Sequence, residues 1–200
     1  MSRPLKYTVS SLVILLVAGF YSIRFFSSSK ISVPEEFTTS RMKSAEIGRN
    51  IKALSSNSLN NLRKIAEFDE TGKTSSALAL VSEEISNAQK SHGQAVELSK
   101  ELEIMAKDLK LITPQSAKIV ATEALTSQVT LVGRLLSYNN YLKELFDVLK
   151  SKFESGIKTD GRVKELVNSI NYEVQAINSL SAESSAIFGT LDALIKEEGN

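Results

Sequence analysis

The sequence predicts an all-α protein, in which an N-terminal transmembrane helix is followed by an elongated antiparallel up-down four-helix bundle of long, coiled-coil-like helices. The first observation is a stretch without charge between Lys6 and Arg24. The second is that four later segments carry apolar residues at steps of three and four, the spacing of helix faces that pack on other helices. The third is that Gly72, Pro114 and Gly156 separate those segments, where they can end one helix or begin the next.

Residues 7–26 are predicted to cross a membrane. They contain 17 consecutive uncharged residues, close to the roughly 20 that a helix needs to span a bilayer. Arg24 can extend its guanidinium to the headgroups, which adds Phe25 and Phe26 to the apolar length. The basic tail at residues 1–6 favours a cytoplasmic N-terminus, with the helical domain on the extracytoplasmic side. A cleaved secretory signal is the alternative, but bulky aromatics stand where small residues are needed, which favours an uncleaved signal-anchor.

The helical bundle is predicted for residues 34–200, after a short linker at residues 27–33. A helix is expected to break where glycine or proline interrupts the apolar spacing. On that basis the four helices cover residues 35–69, 74–112, 114–155 and 160–197. Short turns between such helices make consecutive helices antiparallel neighbours.

The core of the bundle is predicted from the apolar stripes of these helices. The second helix has the clearest stripe, with positions at alternating steps of three and four: Leu78, Val81, Ile85, Ala88, His92, Ala95, Ser99, Leu102, Ala106 and Leu109. Because this is heptad spacing, we expect the helix to pack nearly parallel to other long helices. Six residues are predicted to be buried: Ile85, Leu102, Leu135, Leu142, Ile170 and Ile177.

Composition and charge exclude several classes of function. The chain has 200 residues, a net charge of +1 and no cysteine, which excludes disulfides, thiolate metal sites and a cysteine nucleophile. Four of the 24 basic residues and none of the 23 acidic residues lie in residues 1–30, so the remainder carries 20 bases and 23 acids. A weakly acidic domain without a basic block is a poor electrostatic match to nucleic acid, and no nucleic-acid partner is predicted.

No catalytic, cofactor or metal site is predicted. Gly72-Lys73-Thr74 matches the end of a phosphate-binding loop, but Glu67 stands where the motif needs its first glycine and no strand precedes it. His92 is the only histidine, so a histidine-rich metal site is impossible. Because the polar residues show no convergent arrangement of nucleophile, acid and base, a non-enzymatic protein is expected.

A possible ligand pocket is predicted halfway along the bundle. His92 lies on the apolar stripe about 20 residues after Gly72, so we expect it to be at least partly buried. Counting a similar distance from the turns on the other helices gives one layer, whose principal members are Asn50, His92, Arg134, Ser181 and Ser184. Close packing of small residues is one interpretation of this layer, and a small anionic ligand at Arg134 is the other.

Two functions are predicted for this architecture. The first is a single-pass membrane protein that binds, scaffolds or assembles proteins, including copies of itself, through its helix faces. The second is an extracytoplasmic ligand-sensing bundle that signals through a partner. In outline, a span leading into long antiparallel helices resembles the extracytoplasmic bundles of bacterial chemoreceptors and sensor kinases. The sequence shares no motif with them and shows no second span or signalling module after its last helix.

Overall fold

The computed structural model describes residues 31–157 and 159–197, and this part of the chain is all-helical with no strand. The helices are α1 (Glu35–Glu70), α2 (Thr74–Asp108), α3 (Gln115–Ser155) and α4 (Asp160–Glu197), and a short 3-10 helix, Leu109–Leu111, follows α2. The prediction of an all-α protein with four helices is thereby confirmed. Helices of 35 to 41 residues are rods of roughly 50–60 Å at about 1.5 Å per residue.

The predicted transmembrane stretch at residues 7–26 lies outside the described residues, so its prediction as a membrane span stands untested. Within residues 31–157 and 159–197, none of the four helices combines the length and the apolar character that crossing a bilayer requires.

The turns explain where the helices end. Gly72 and Gly156 both have positive φ, 69° and 67°, a conformation that glycine adopts without strain. The Gly156 amide donates to the Lys152 carbonyl at 2.9 Å and closes α3. The predicted second helix was too long, because the chain tightens into the 3-10 turn after Asp108 and is extended at Ile112.

Two contacts define one end of the bundle, which we call the base. Ser32 and Thr113 exchange two backbone hydrogen bonds of 2.9 and 3.1 Å, so the chain enters α1 beside the α2–α3 turn. The Arg41 guanidinium, near the start of α1, binds the Asp192 carboxylate, near the end of α4, at 2.6 and 2.7 Å. At the other end, Lys152 of α3 reaches Asp69 of α1. The helices therefore alternate in direction.

The core consists of two apolar clusters in the bundle. The cluster towards the base includes Phe37 of α1, Leu98 of α2, Leu131 of α3 and Leu191 of α4. The cluster towards the far end is built from residues of all four helices: Ile65, Val81, Tyr138, Leu142, Leu145, Phe146, Leu149, Leu166 and Ile170. The most extensive packing joins consecutive helices.

The predicted core residues are confirmed in part. Four of the six are buried, namely Leu102, Leu135, Leu142 and Ile170. The other two, Ile85 and Ile177, are half-buried at the edge of the apolar clusters.

The stripe predicted for α2 has the right spacing, but at every second position the buried residue is the one immediately before the predicted residue. The buried residues of α2 are Ala77, Val81, Glu84, Ala88, Ser91, Ala95, Leu98, Leu102, Met105 and Asp108. The apolar pattern favoured Ile85 and His92 over Glu84 and Ser91. In the structure Ile85 packs at the margin, and the buried Glu84 is stabilised by side-chain hydrogen bonds from α1 and α2.

Candidate functional site

The prediction that His92 is at least partly buried is wrong, because its side chain is exposed on the surface of α2. Ser91 takes the inward position next to it and is buried. An α-helix turns by about 100° per residue, so a shift of one position moves a side chain from the core to the solvent. The predicted layer therefore loses its central residue.

The remaining predicted pocket residues are divided between two helix pairs. Asn50 lines a groove of about 560 Å³ between α1 and α2, where Gly93 is also part of the wall. Ser184 is fully buried and accepts a hydrogen bond of 2.7 Å from Gln128 Nε2, across the α3–α4 contact. Ser181 is exposed. Ligand binding by these residues stays a prediction.

Arg134 is occupied by contacts within the protein. Its Nη1 lies 3.5 Å from both carboxylate oxygens of Glu173, which is buried on α4. Its guanidinium also stacks over Tyr172, at 5.6 Å from the ring centroid. An anion at Arg134 would have to compete with the Glu173 carboxylate.

A polar layer that the sequence did not reveal is centred on Glu84. This α2 side chain is fully buried. One carboxylate oxygen accepts a short hydrogen bond from Ser58 Oγ, and the other accepts from Asn61 Nδ2 at 2.7 Å and Asn87 Nδ2 at 2.9 Å. No cation among the described residues forms an ion pair with it. Neutral donors alone therefore offset the cost of burying this carboxylate.

Tyr138 extends the Glu84 layer to α3. Burial raises the pKa of the Tyr138 phenol; a contact with Ser55 opposes the rise, and the Glu84 charge adds to it. The Tyr138 hydroxyl makes no hydrogen bond of ordinary geometry within the described residues. Asn139 is also buried and donates to the Leu135 carbonyl at 2.8 Å. Polar groups of three helices thus meet within the bundle.

The Glu84 layer has the features of a structural network. Its carboxylate and its donors are buried or half-buried, and Glu84 is not part of the lining of the α1–α2 groove. No group of three or more histidine and acidic side chains in residues 31–157 and 159–197 is arranged to hold a metal ion. A signal for the layer is present in the sequence, since Ser58 lies four residues after Leu54 and four before Leu62, at the spacing of one helix face. The partner Glu84 was missed because a charged residue was assigned to solvent.

A second surface feature is an open groove of about 630 Å³ between the base halves of α3 and α4. Its α3 wall carries Thr122, Thr126 and Thr130, one helical turn apart. Each hydroxyl donates to the carbonyl four residues earlier, at 2.7 to 3.0 Å. This satisfies the hydroxyls within α3 and leaves the threonine methyl groups for apolar contact. The apolar remainder of the lining is Ile119, Leu180 and Ile187.

Comparison with protein families, curated proteins and solved structures gives no match for this chain. The assignment of function therefore rests on the residues and contacts described above.

Proposed function

We propose that this protein is a non-enzymatic, single-pass membrane protein whose extracytoplasmic helical bundle binds a protein partner through a helix face. The anchor in this proposal is the apolar stretch at residues 7–26. The binding face is the α3–α4 groove, and the partner is an amphipathic helix that carries a basic residue. The open, elongated shape of this groove is the observation that carries the proposal.

The composition of the groove supports a helical partner. Leu180 and Ile187 stand two turns apart on α4 and are half-buried, and Ile119 on α3 is exposed. Apolar side chains spaced in this way can receive anchors at i, i+3 and i+4 of an incoming helix. Threonine methyl groups on the opposite wall allow close approach.

Charge in the groove favours a basic residue on the partner. Glu123 and Glu183 are exposed in the lining, and neither forms an ion pair with another described residue. The lining also holds one cation, Lys118, which is half-buried and donates to the Lys110 carbonyl at 3.0 Å, so the acids outnumber it two to one. A lysine or arginine on the incoming helix would complement these carboxylates, which helps to fix its register and orientation.

Site-specific photo-crosslinking of the full-length chain in its native membrane tests this proposal. A photoreactive residue at Thr126 should crosslink a helical segment of a second protein. The same residue at Val96, an exposed position on α2, is the matched control. Glu183→Lys should reduce the yield at Thr126, because it replaces attraction by repulsion. Equal crosslinking yields at Thr126 and Val96 would contradict binding in this groove. A yield at Thr126 that is unchanged by Glu183→Lys would contradict it as well.

A ligand-sensing bundle remains the second candidate because the α1–α2 groove has a polar lining. Asn50, Asn57, Lys90, Gln94 and Glu97 supply amide, ammonium and carboxylate groups there. These groups suit a small polar ligand. Thermal-shift measurements of the full chain with small metabolites would test this candidate. A shift that Asn50→Ala leaves unchanged would exclude this groove as its source.

A further inference from the structure

The base of the bundle is the end through which the proposed anchor must connect. Ser32 is fixed to Thr113 by two backbone hydrogen bonds. Five residues, 27–31, separate the predicted span from Ser32. Fully extended, they reach about 18 Å. If the anchor is in the membrane, the α2–α3 turn is therefore held within about 20 Å of the end of the span, and its effective concentration at the bilayer surface is high.

Leu111 is the most prominent apolar side chain of this turn. It lies two residues before Thr113, and 53% of its surface is exposed although Ile112 beside it is fully buried. Three other large apolar residues are exposed within eight residues of the helix ends at the base: Met42, Ile119 and Ile195. An apolar tip next to a membrane tether fits the boundary between headgroups and acyl chains.

Charges near the turn are mixed, so electrostatic attraction does not dominate. Lys110 is exposed next to Leu111 in the chain, and Lys118 Nζ donates to the Lys110 carbonyl at 3.0 Å, which places the Lys118 ammonium at this turn. Glu35 and Glu36 are exposed on the first turn of α1 at the same end. Because these acids offset the lysines, contact with a bilayer would depend on apolar insertion more than on anionic lipid.

We propose that the α2–α3 turn is a membrane-contact element, in which Leu111 inserts shallowly into the bilayer that holds the anchor. Lys110 and Lys118 then lie at the level of the lipid phosphates. The bundle stands with its base on the membrane and its far end in solution. This inference rests on the proposed membrane anchorage. It adds a second contact with the lipid bilayer, made by the α2–α3 turn.

The absence of cysteine allows a direct test with the full-length chain. Leu111→Cys, labelled with a polarity-sensitive fluorophore, is reconstituted in phosphatidylcholine vesicles with and without phosphatidylglycerol. Ile157→Cys is the matched control, because Ile157 is 57% exposed in the α3–α4 turn at the far end. We expect a blue shift for the Leu111 label and several-fold stronger quenching by brominated acyl chains than for the Ile157 label. The blue shift and the quenching of the Leu111 label should both change little when phosphatidylglycerol is included in the vesicles.

Flotation of the same vesicles separates the two proposals. If the chain floats and the Leu111 label still reports water, the membrane contact is wrong while anchorage stands. If the chain does not float, both are wrong. Equal quenching of the Leu111 and Ile157 labels would overturn the upright arrangement.

Discussion

At the scale of single residues, two carboxylates illustrate how this bundle uses charge. Glu84 is buried among neutral donors, whereas Asp192 lies at the base and is held by two hydrogen bonds from Arg41. Arg41 also stacks on Phe188, with its guanidinium 4.4 Å from the ring centroid. The Glu84 arrangement is sensitive to the loss of any hydrogen-bond donor, and the Asp192 arrangement depends on the ionisation of one half-buried carboxyl group.

Glu84→Ala is expected to destabilise the protein by about 2–4 kcal/mol, because it leaves a cavity and unsatisfied donors at Ser58 and Asn61. Urea unfolding followed by circular dichroism measures this change. Glu83→Ala, at the exposed neighbouring position, is the control and should change stability by less than about 0.5 kcal/mol. The double variant Glu84→Leu with Ser58→Ala should recover most of the loss, since it removes acceptor and donor together. No recovery would contradict the assignment of a structural role to this hydrogen-bond network.

Asp192 is expected to make the bundle less stable in acid. The hydrogen bonds from Arg41 lower the pKa of its carboxyl below the ordinary value of 3.8, and partial burial opposes that shift. The unfolded chain therefore binds this proton more readily, so the stabilisation is present above pH ~4 and is lost as the pH falls through the lowered pKa. Asp192→Asn should reduce stability near pH 7 and flatten the acid limb, measured by urea unfolding at a series of pH values. If plots of the free energy of unfolding against pH are parallel for the unchanged protein and Asp192→Asn, the Asp192 carboxyl does not contribute to acid sensitivity.

At the scale of helices, the sequence predicted the four helices well because most of their ends coincide with strong local signals. Gly72 and Gly156 take the positive φ that ends a helix, and Pro114 stands directly before α3. The phase of the α2 stripe could not be predicted in the same way. Local apolarity favours Ile85, but burial of Glu84 depends on donors from α1 that are distant in sequence. The prediction that His92 is partly buried was wrong because it relied on the same α2 stripe.

The corrected phase of α2 gives a prediction at this scale. Leu98 is buried and packs in the base cluster, whereas Val96 is exposed on the same helix. Leu98→Ala should cost about 2–5 kcal/mol through lost burial and the cavity left behind. Val96→Ala should cost less than about 0.5 kcal/mol. Thermal and urea unfolding of the two variants measure the difference, and similar costs would mean that the inward face of α2 has been assigned incorrectly.

At the scale of the whole molecule, the base concentrates the features that bear on the proposed anchorage. The chain enters there beside Thr113, and Arg41 joins α1 to α4 through Asp192. Leu111 is exposed at the same end. The described residues 31–157 and 159–197 hold two apolar clusters of their own. We therefore expect membrane attachment and folding to be separable.

The full-length chain should remain in the membrane fraction after washes with high salt and alkaline carbonate, because only a spanning segment resists both treatments. A chain that begins at Ser32 should instead be soluble, strongly helical by circular dichroism, and cooperative in unfolding. Sedimentation of the two forms after each wash, with mass determination of the membrane-bound product, is the measurement. Release of the full-length chain by alkali would exclude the span. Recovery of a shortened mature protein that begins near residue 30 would instead identify residues 7–26 as a cleaved signal, since a signal-anchor keeps its apolar stretch.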